Sequence, residues 1–185
     1  MPFLCALDKS PPMSKLPILM HPDPRLKKTC PVVSDVTDAL RKLADDMLET
    51  MYEAPGIGLA APQIGSEARM FVMDCIAKED APPEPMVLIN PEVIAASDET
   101  SVYNEGCLSL PELFEDVTRP AAITMRFMDL DGNEQTREFD GLWATCAQHE
   151  LDHLNGILFI DHLSRMKRSM LTKKMVKYKK ELARV

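Results

Sequence analysis

The sequence has little from which to build a disulfide framework, a membrane span or an export signal. Its five cysteines, at 5, 30, 75, 107 and 146, are an odd number without paired spacing. They fit thiols in a reducing cytosol better than covalent cross-links. No apolar run approaches the length that crosses a bilayer, which excludes a helical membrane protein. The opening "MPFLCALDKSPPMSK" lacks both a basic start and a sustained apolar stretch, so it reads as no secretory signal. It also lacks the arginine-rich amphipathic character of an organellar transit peptide. Aromatic residues are few, at 5%, but the apolar (45%) and charged (27%) fractions are those of a soluble globular protein. The expected localisation is the cytoplasm. Histidine is scarce too, with four in the chain, so any two that share a short motif carry information.

The 185 residues suffice for one domain with a substantial core. Charge is unevenly placed. Residues 164–185 carry nine Lys or Arg against Glu181 alone, a net +8, which leaves −16 for the rest of a chain whose total is −8. An acidic body with a basic terminal segment points to an anionic docking partner for the tail, with a merely solvated helix as the plain alternative.

Residues 1–12 hold three prolines and no periodicity, so a disordered arm is expected there, with the domain proper at 13–185. "HPDPRLKK" reads as a loop. From Thr37 to Tyr52, Leu40, Leu43, Met47, Leu48 and Met51 recur at helical spacing, with Thr37 or Asp38 as N-cap and Pro55-Gly56 as terminator. "MFVMD" (70–74) and "MVLIN" (86–90) read as short strands, separated by the polar, proline-rich "AKEDAPPEP". Ile123, Met125 and Phe127 alternate, Asp131-Gly132 follows, and a second run reaches Phe139: a hairpin, since Gly tolerates the positive φ of a tight turn. Leu142, Cys146, His149 and His153 form one helical stripe. A last helix runs from about Leu163 to Leu182 inside the basic segment. Helix, strands, helix, helix is an α+β order.

The stripe ends in "QHELDH", a His-Glu-x-x-His pentad. One turn apart on a helix, His149 and His153 project the same way and can grip one divalent ion, while Glu150 flanks it within reach of a water. By composition such a pentad arises on the order of once in two hundred chains, which makes it a signal without making it proof. The third ligand is open. The extended zinc-protease pattern continues with Gly156 but meets Phe159 where a histidine is needed. Downstream, Asp161, His162 and Glu181 offer donors, the last in a basic setting. Upstream, the best donor is Cys107 in "NEGCLSLP", a short non-helical segment between strands. Cys146 is its rival, but three ligands on consecutive turns of one helix lie in a line and converge poorly. Cys146 therefore reads as a small apolar residue in the wall beneath the site. A zinc endopeptidase using a downstream ligand and a catalytically dead, metal-stabilised binding protein are the competing classes.

Three motifs together, "GIGLAAPQ" (56–63), "EGCLS" (105–109) and "QHELDH" (148–153), resemble those of the peptide deformylase family, in order and at family-like spacing. The likeness runs from about Met13 to the final helix. It implies a compact α+β domain of antiparallel strands around a central metal-binding helix, with a C-terminal helix. It implies Cys107, His149 and His153 as ligands of one divalent ion, iron(II) by family habit, with zinc, nickel or cobalt able to substitute. The ligand set by itself would have suggested zinc. The implied activity is a hydrolase of protein biosynthesis that removes the N-formyl group from the initiator methionine of nascent peptides, releasing formate.

The resemblance also assigns parts. Glu150 is the general base, and the Gln63 side chain and Leu108 backbone N–H stabilise the oxyanion. Gly58 offers main chain to an extended peptide. Ile57, Leu142, Thr145, Cys146 and the His149 ring line a methionine pocket with Tyr103 at its rim. Glu105 and Arg119 are expected to pair and tie the cysteine segment to the hairpin. The basic residues of 165–184 become candidates for ribosome contact through phosphate.

Overall fold

The computed structural model describes residues 16–76 and 82–184. The expected arm at 1–12, the domain start at 13 and much of the loop after Ile76 lie outside these residues. Among those described, the order is helix α1 (Asp38–Glu53), strands β1 (Gly58–Ala60), β2 (Met70–Met73), β3 (Met86–Ala96), β4 (Thr100–Cys107), β5 (Leu110–Pro120), β6 (Ala122–Met128) and β7 (Glu134–Asp140), then helices α2 (Gly141–Leu154) and α3 (Arg165–Leu182), with short 3-10 turns between. The class is α+β, as expected.

The strands form an antiparallel five-stranded sheet in the order β1-β2-β3-β6-β7 and a separate antiparallel hairpin, β4-β5. The β6–β7 turn falls at Asp131-Gly132, where Gly132 has φ +82°. Two sequence readings change. The strand read at 86–90 continues to Ala96 in spite of Pro91, because the β3–β6 register shifts between Ile89 and Glu92 and again between Val93 and Ala95. Proline lacks the N–H of a regular ladder and is tolerated at such irregularities. The "NEGC" segment, read as a short non-helical stretch between strands, is itself the end of β4, and its hairpin was not read at all.

Helix α1 starts where expected, with Thr37 Oγ1 accepting from the Leu40 backbone N–H at 3.2 Å. Its buried Leu40, Ala44, Met47 and Met51 pack with Leu59, Met70, Val72 and Ile89 from one face of the large sheet. Helix α2 belongs with the other face, where Ala144, Cys146, Ala147 and Leu154 join Phe71, Met73, Leu88, Met125, Phe127 and Phe139. Each large side chain so buried contributes roughly 1.5–3 kcal/mol. α2 ends at Leu154, and just beyond it Gly156 has φ +72°, where a β-carbon would stand 2.5 Å from the Lys27 carbonyl oxygen. The chain then reverses through the 3-10 turn Phe159–His162, and Ser164 caps α3 by accepting from the Lys167 N–H. Only Leu171 and Met175 of α3 are buried.

Candidate metal centre

Three elements meet at one cavity of about 420 Å³. β4 ends on Cys107, helix α2 brings His149 and Glu150 with His153 buried one turn further along, and the 3-10 turn Ala61–Ile64 after β1 brings Gln63. One candidate ligand atom from each of Cys107, His149 and His153 lies within 4.8 Å of the others. Cys107 Sγ is 3.2 Å from His153 Nε2. Two tetrahedral ligands at about 2.0–2.3 Å from one ion would be three to four ångströms apart, so this spacing suits a shared cation.

The other third-ligand candidates are engaged elsewhere. Asp161 is bound to Lys27, Arg168 and the Leu158 N–H, and His162 to Asp152. Glu181 faces Lys177 on α3 at 3.7 Å. Phe159, which stands where the zinc-protease pattern needs histidine, stacks its ring against that of His149, with centroids 6.2 Å apart.

Hydrogen bonding fixes which ring nitrogens are available. His149 Nδ1 is 2.8 Å from Glu105 Oε2. Ionised, that carboxylate only accepts, so Nδ1 carries a proton and Nε2 is the nitrogen that faces the cluster. Glu105 is itself gripped by Arg119, Nε to Oε1 at 2.6 Å and Nη2 to Oε2 at 3.0 Å. Burial alone would raise the Glu105 carboxyl; the hydrogen bonds from His149 and Arg119 outweigh it and hold the group down at about 2. For His149, burial favours the neutral ring, but the Cys107 sulfur and the Glu105 carboxylate beside it push its pKa well above the ordinary value. The same negative surroundings that attract a proton to this ring would attract a metal cation. Burial and the neighbouring His149 push His153 well below the usual histidine range, leaving the neutral imidazole that a ligand must be.

Glu150 is buried, and burial raises its carboxyl to about 7 against the pull of His149. Positive charge added to the cluster would favour the carboxylate. Among the described residues, Glu150 Oε2 and His153 Nδ1 are buried without a hydrogen-bond partner. A donor set of one sulfur, two imidazoles and an unpartnered carboxylate oxygen fits a catalytic metal site better than a closed structural one.

The remaining residues expected here, Ile57, Gly58, Gln63, Tyr103, Leu108, Leu142, Thr145 and Cys146, all line the same cavity. Gln63 Oε1 accepts from the Ala60 N–H at 2.7 Å, which turns its amide nitrogen toward Ser109 Oγ (3.3 Å) and Cys107 Sγ (3.5 Å). A side chain at Gly58 would collide with Glu150 Oε1 and sit 2.8 Å from Cys146 Sγ, so only glycine lets β1 approach α2 this closely. Cys146 is held as the neutral thiol by the adjacent Cys75 thiol and by burial. Sequence reasoning missed Asp152 and considered His162 only as a possible ligand. Asp152 accepts from Arg119 Nη1 at 2.8 Å, and His162 lies 2.7 Å from the same Asp152 oxygen. Asp152 stands inside the pentad, which was a signal; the arrival of His162 depends on the reversal at Gly156.

Comparison with known proteins places the chain in a family. The sequence model of one family, described as polypeptide deformylase, matches residues 15–169. The chain is 54% identical over 167 residues to a peptide deformylase of Mesorhizobium japonicum, covering 90% of this chain and 94% of that one. It is 55% identical over 164 residues to another from Bradyrhizobium diazoefficiens, covering 86% and 94%. The crystal structure of a peptide deformylase from Legionella pneumophila superposes with a TM-score of 0.85 at 40% identity, covering 93% of this chain and 99% of that one. With likeness of this extent and a Cys-His-His cluster suited to a metal, the chain belongs to the peptide deformylase family, metal-dependent hydrolases that remove the N-formyl group from the initiator methionine of new polypeptides.

Proposed function

We propose that Cys107, His149 and His153 hold one divalent ion, iron(II) in the cell with zinc, nickel or cobalt able to take its place, and that Glu150, Gln63 and Leu108 carry the deformylation around it in the cytoplasm. The observation that carries this reading is the convergence of one sulfur and two imidazole nitrogens within 4.8 Å. When bound, the ion supplies Lewis acidity toward the formyl oxygen and toward water. The choice of iron over zinc follows the family habit and not the donor set.

Glu150 takes the proton from the attacking water and passes it to the departing amine nitrogen. Burial supports both halves of that task, because a carboxyl near neutrality can accept a proton and give it back. The Gln63 amide nitrogen and the Leu108 backbone N–H donate to the oxygen on which negative charge develops. The bond from Ala60 N–H to Gln63 Oε1 supports this, since it sets the amide orientation before substrate arrives. Removing one such donor typically costs about 3–4 kcal/mol in the transition state.

The substrate backbone pairs with β1 at Gly58, an edge strand of the large sheet. The methionine side chain enters between Ile57, Leu142, Thr145, Cys146 and the His149 ring, with half-exposed Tyr103 at the rim. Recognition by main chain and one side chain suits nascent chains of varied sequence. α3 docks on ribosomal phosphate through Lys173, Lys174, Lys177 and Lys180, which are exposed. Lys167, Arg168 and Lys179 contribute less, being bound to Glu115, Asp161 and the Met20 carbonyl.

The test is formate release from formyl-Met-Ala by anaerobically prepared, iron-loaded protein, with metal content measured alongside. The expected result is one ion per chain and turnover, both lost in Cys107→Ala and His153→Ala. Full metal occupancy in either variant would refute the ligand set.

A further inference from the structure

We propose that His162 and Asp152 are positioning residues for the ligand His149, acting through Arg119 and Glu105; the inference rests on the ligand reading above. A continuous line of hydrogen bonds joins the protein surface to the imidazole. His162 Nε2 meets Asp152 Oδ2 at 2.7 Å, and Arg119 Nη1 donates to that same oxygen at 2.8 Å. The other edge of the guanidinium holds both oxygens of Glu105, and Glu105 Oε2 receives His149 Nδ1 at 2.8 Å. Side-chain exposure falls along the line, from 36% at His162 through 17% at Asp152 to 6% at Arg119 and 3% at Glu105.

Two oxygens are shared, and the sharing separates this line from an ordinary surface ion pair. Asp152 Oδ2 and Glu105 Oε2 each accept twice, so moving one donor moves the acceptor of the next. Arg119 is a rigid planar fork between two carboxylates. Held by Glu105 alone, it can swing about that pair; Asp152 fixes its plane. Glu105 then sets the tautomer and tilt of His149, as the partner of a ligating histidine does. His162 orients Asp152 from the far side. It comes from the 3-10 turn that leads into α3, whereas Arg119 comes from β5, so two elements converge on this one carboxylate.

The probe is cobalt(II), added to the full chain and read by visible absorption and by competition with a chelator. Asp152→Asn is expected to weaken cobalt binding by about ten-fold and shift the visible bands, and His162→Phe, one link further out, by about three-fold with a smaller shift in the same direction. His162→Gln keeps a donor toward Asp152 and is expected to stay within about two-fold of wild type. With formyl-Met-Ala, kcat should fall while KM holds. Wild-type spectra and affinities in both Asp152→Asn and His162→Phe would overturn the proposal. So would a His162→Gln variant as impaired as His162→Phe. A wild-type protein that takes up no cobalt would instead overturn the ligand set, and the proposal with it.

Discussion

Helices α2 and α3 follow one another in sequence and are built to opposite ends. α2 buries eight residues in 14, four of them titratable: Cys146, His149, Glu150 and His153. α3 buries two in 18, Leu171 and Met175, and surrounds them with lysine and arginine. Burying a charge or an imidazole is unfavourable unless something compensates. α2 carries that penalty, offset in part by the Glu105–Arg119 pair, because chemistry needs groups withdrawn from bulk water. α3 carries none of it. Its attachment is a short line of apolar contacts with Lys167, Arg168 and Lys179 tied to Glu115, Asp161 and the Met20 carbonyl, and Lys173, Lys174, Lys177 and Lys180 remain exposed, where they cost little.

The contrast breaks most sharply in α2. Glu150→Gln should leave the ion bound and lower turnover on formyl-Met peptides by about three orders of magnitude; a near-normal rate would remove Glu150 from the chemistry. In α3 the corresponding blow is to an anchor. Leu171→Ala should cost about 2–4 kcal/mol of unfolding free energy without changing metal content, read by denaturant titration.

A smaller effect is pH-dependent. The Glu105 carboxyl is held at about 2 against its ordinary 4.5, so it binds fewer protons folded than unfolded. Its contribution is present above pH 4.5 and is lost as pH falls toward 2. The fall in Tm across that window should be shallower in Glu105→Gln than in wild type; parallel curves would contradict it. The smallest effect belongs to the α3 surface. Reversing Lys173, Lys174 and Lys177 to Glu should move unfolding free energy by no more than about 0.5 kcal/mol. The same variant should lose low-salt co-sedimentation with ribosomes, and retained co-sedimentation would reject the docking role.

Much of α1, α2 and α3 was legible because their apolar stripes follow the helical period, and α1 also announces its cap. The cluster of His149 and His153 was legible because a pentad on a helix fixes the direction of both rings. The hairpin β4–β5 was not, for a physical reason. It is two strands with apolar side chains exposed on both faces, Val102 and Phe114 on one and Tyr103 on the other, so the alternation that marks a half-buried strand is blurred. Pro91 hid half of β3 by looking like a terminator. Asn90 helps hold that bend, bonding the Val33 backbone with both ends of its amide, at 2.9 and 2.8 Å. The tie from His162 to Asp152 was illegible because no local spacing rule links residues ten apart across a chain reversal.

Cys107 sits on a hairpin that shares no strand pairing with the large sheet, while both histidines stand on the helix laid across that sheet. An ion bound to all three would therefore be a rivet between two separately hydrogen-bonded layers. Without it, the seam between the layers would rest on Glu105 and Arg119, which bind His149 and Asp152, and on Leu110 and Val117 packed under Phe159.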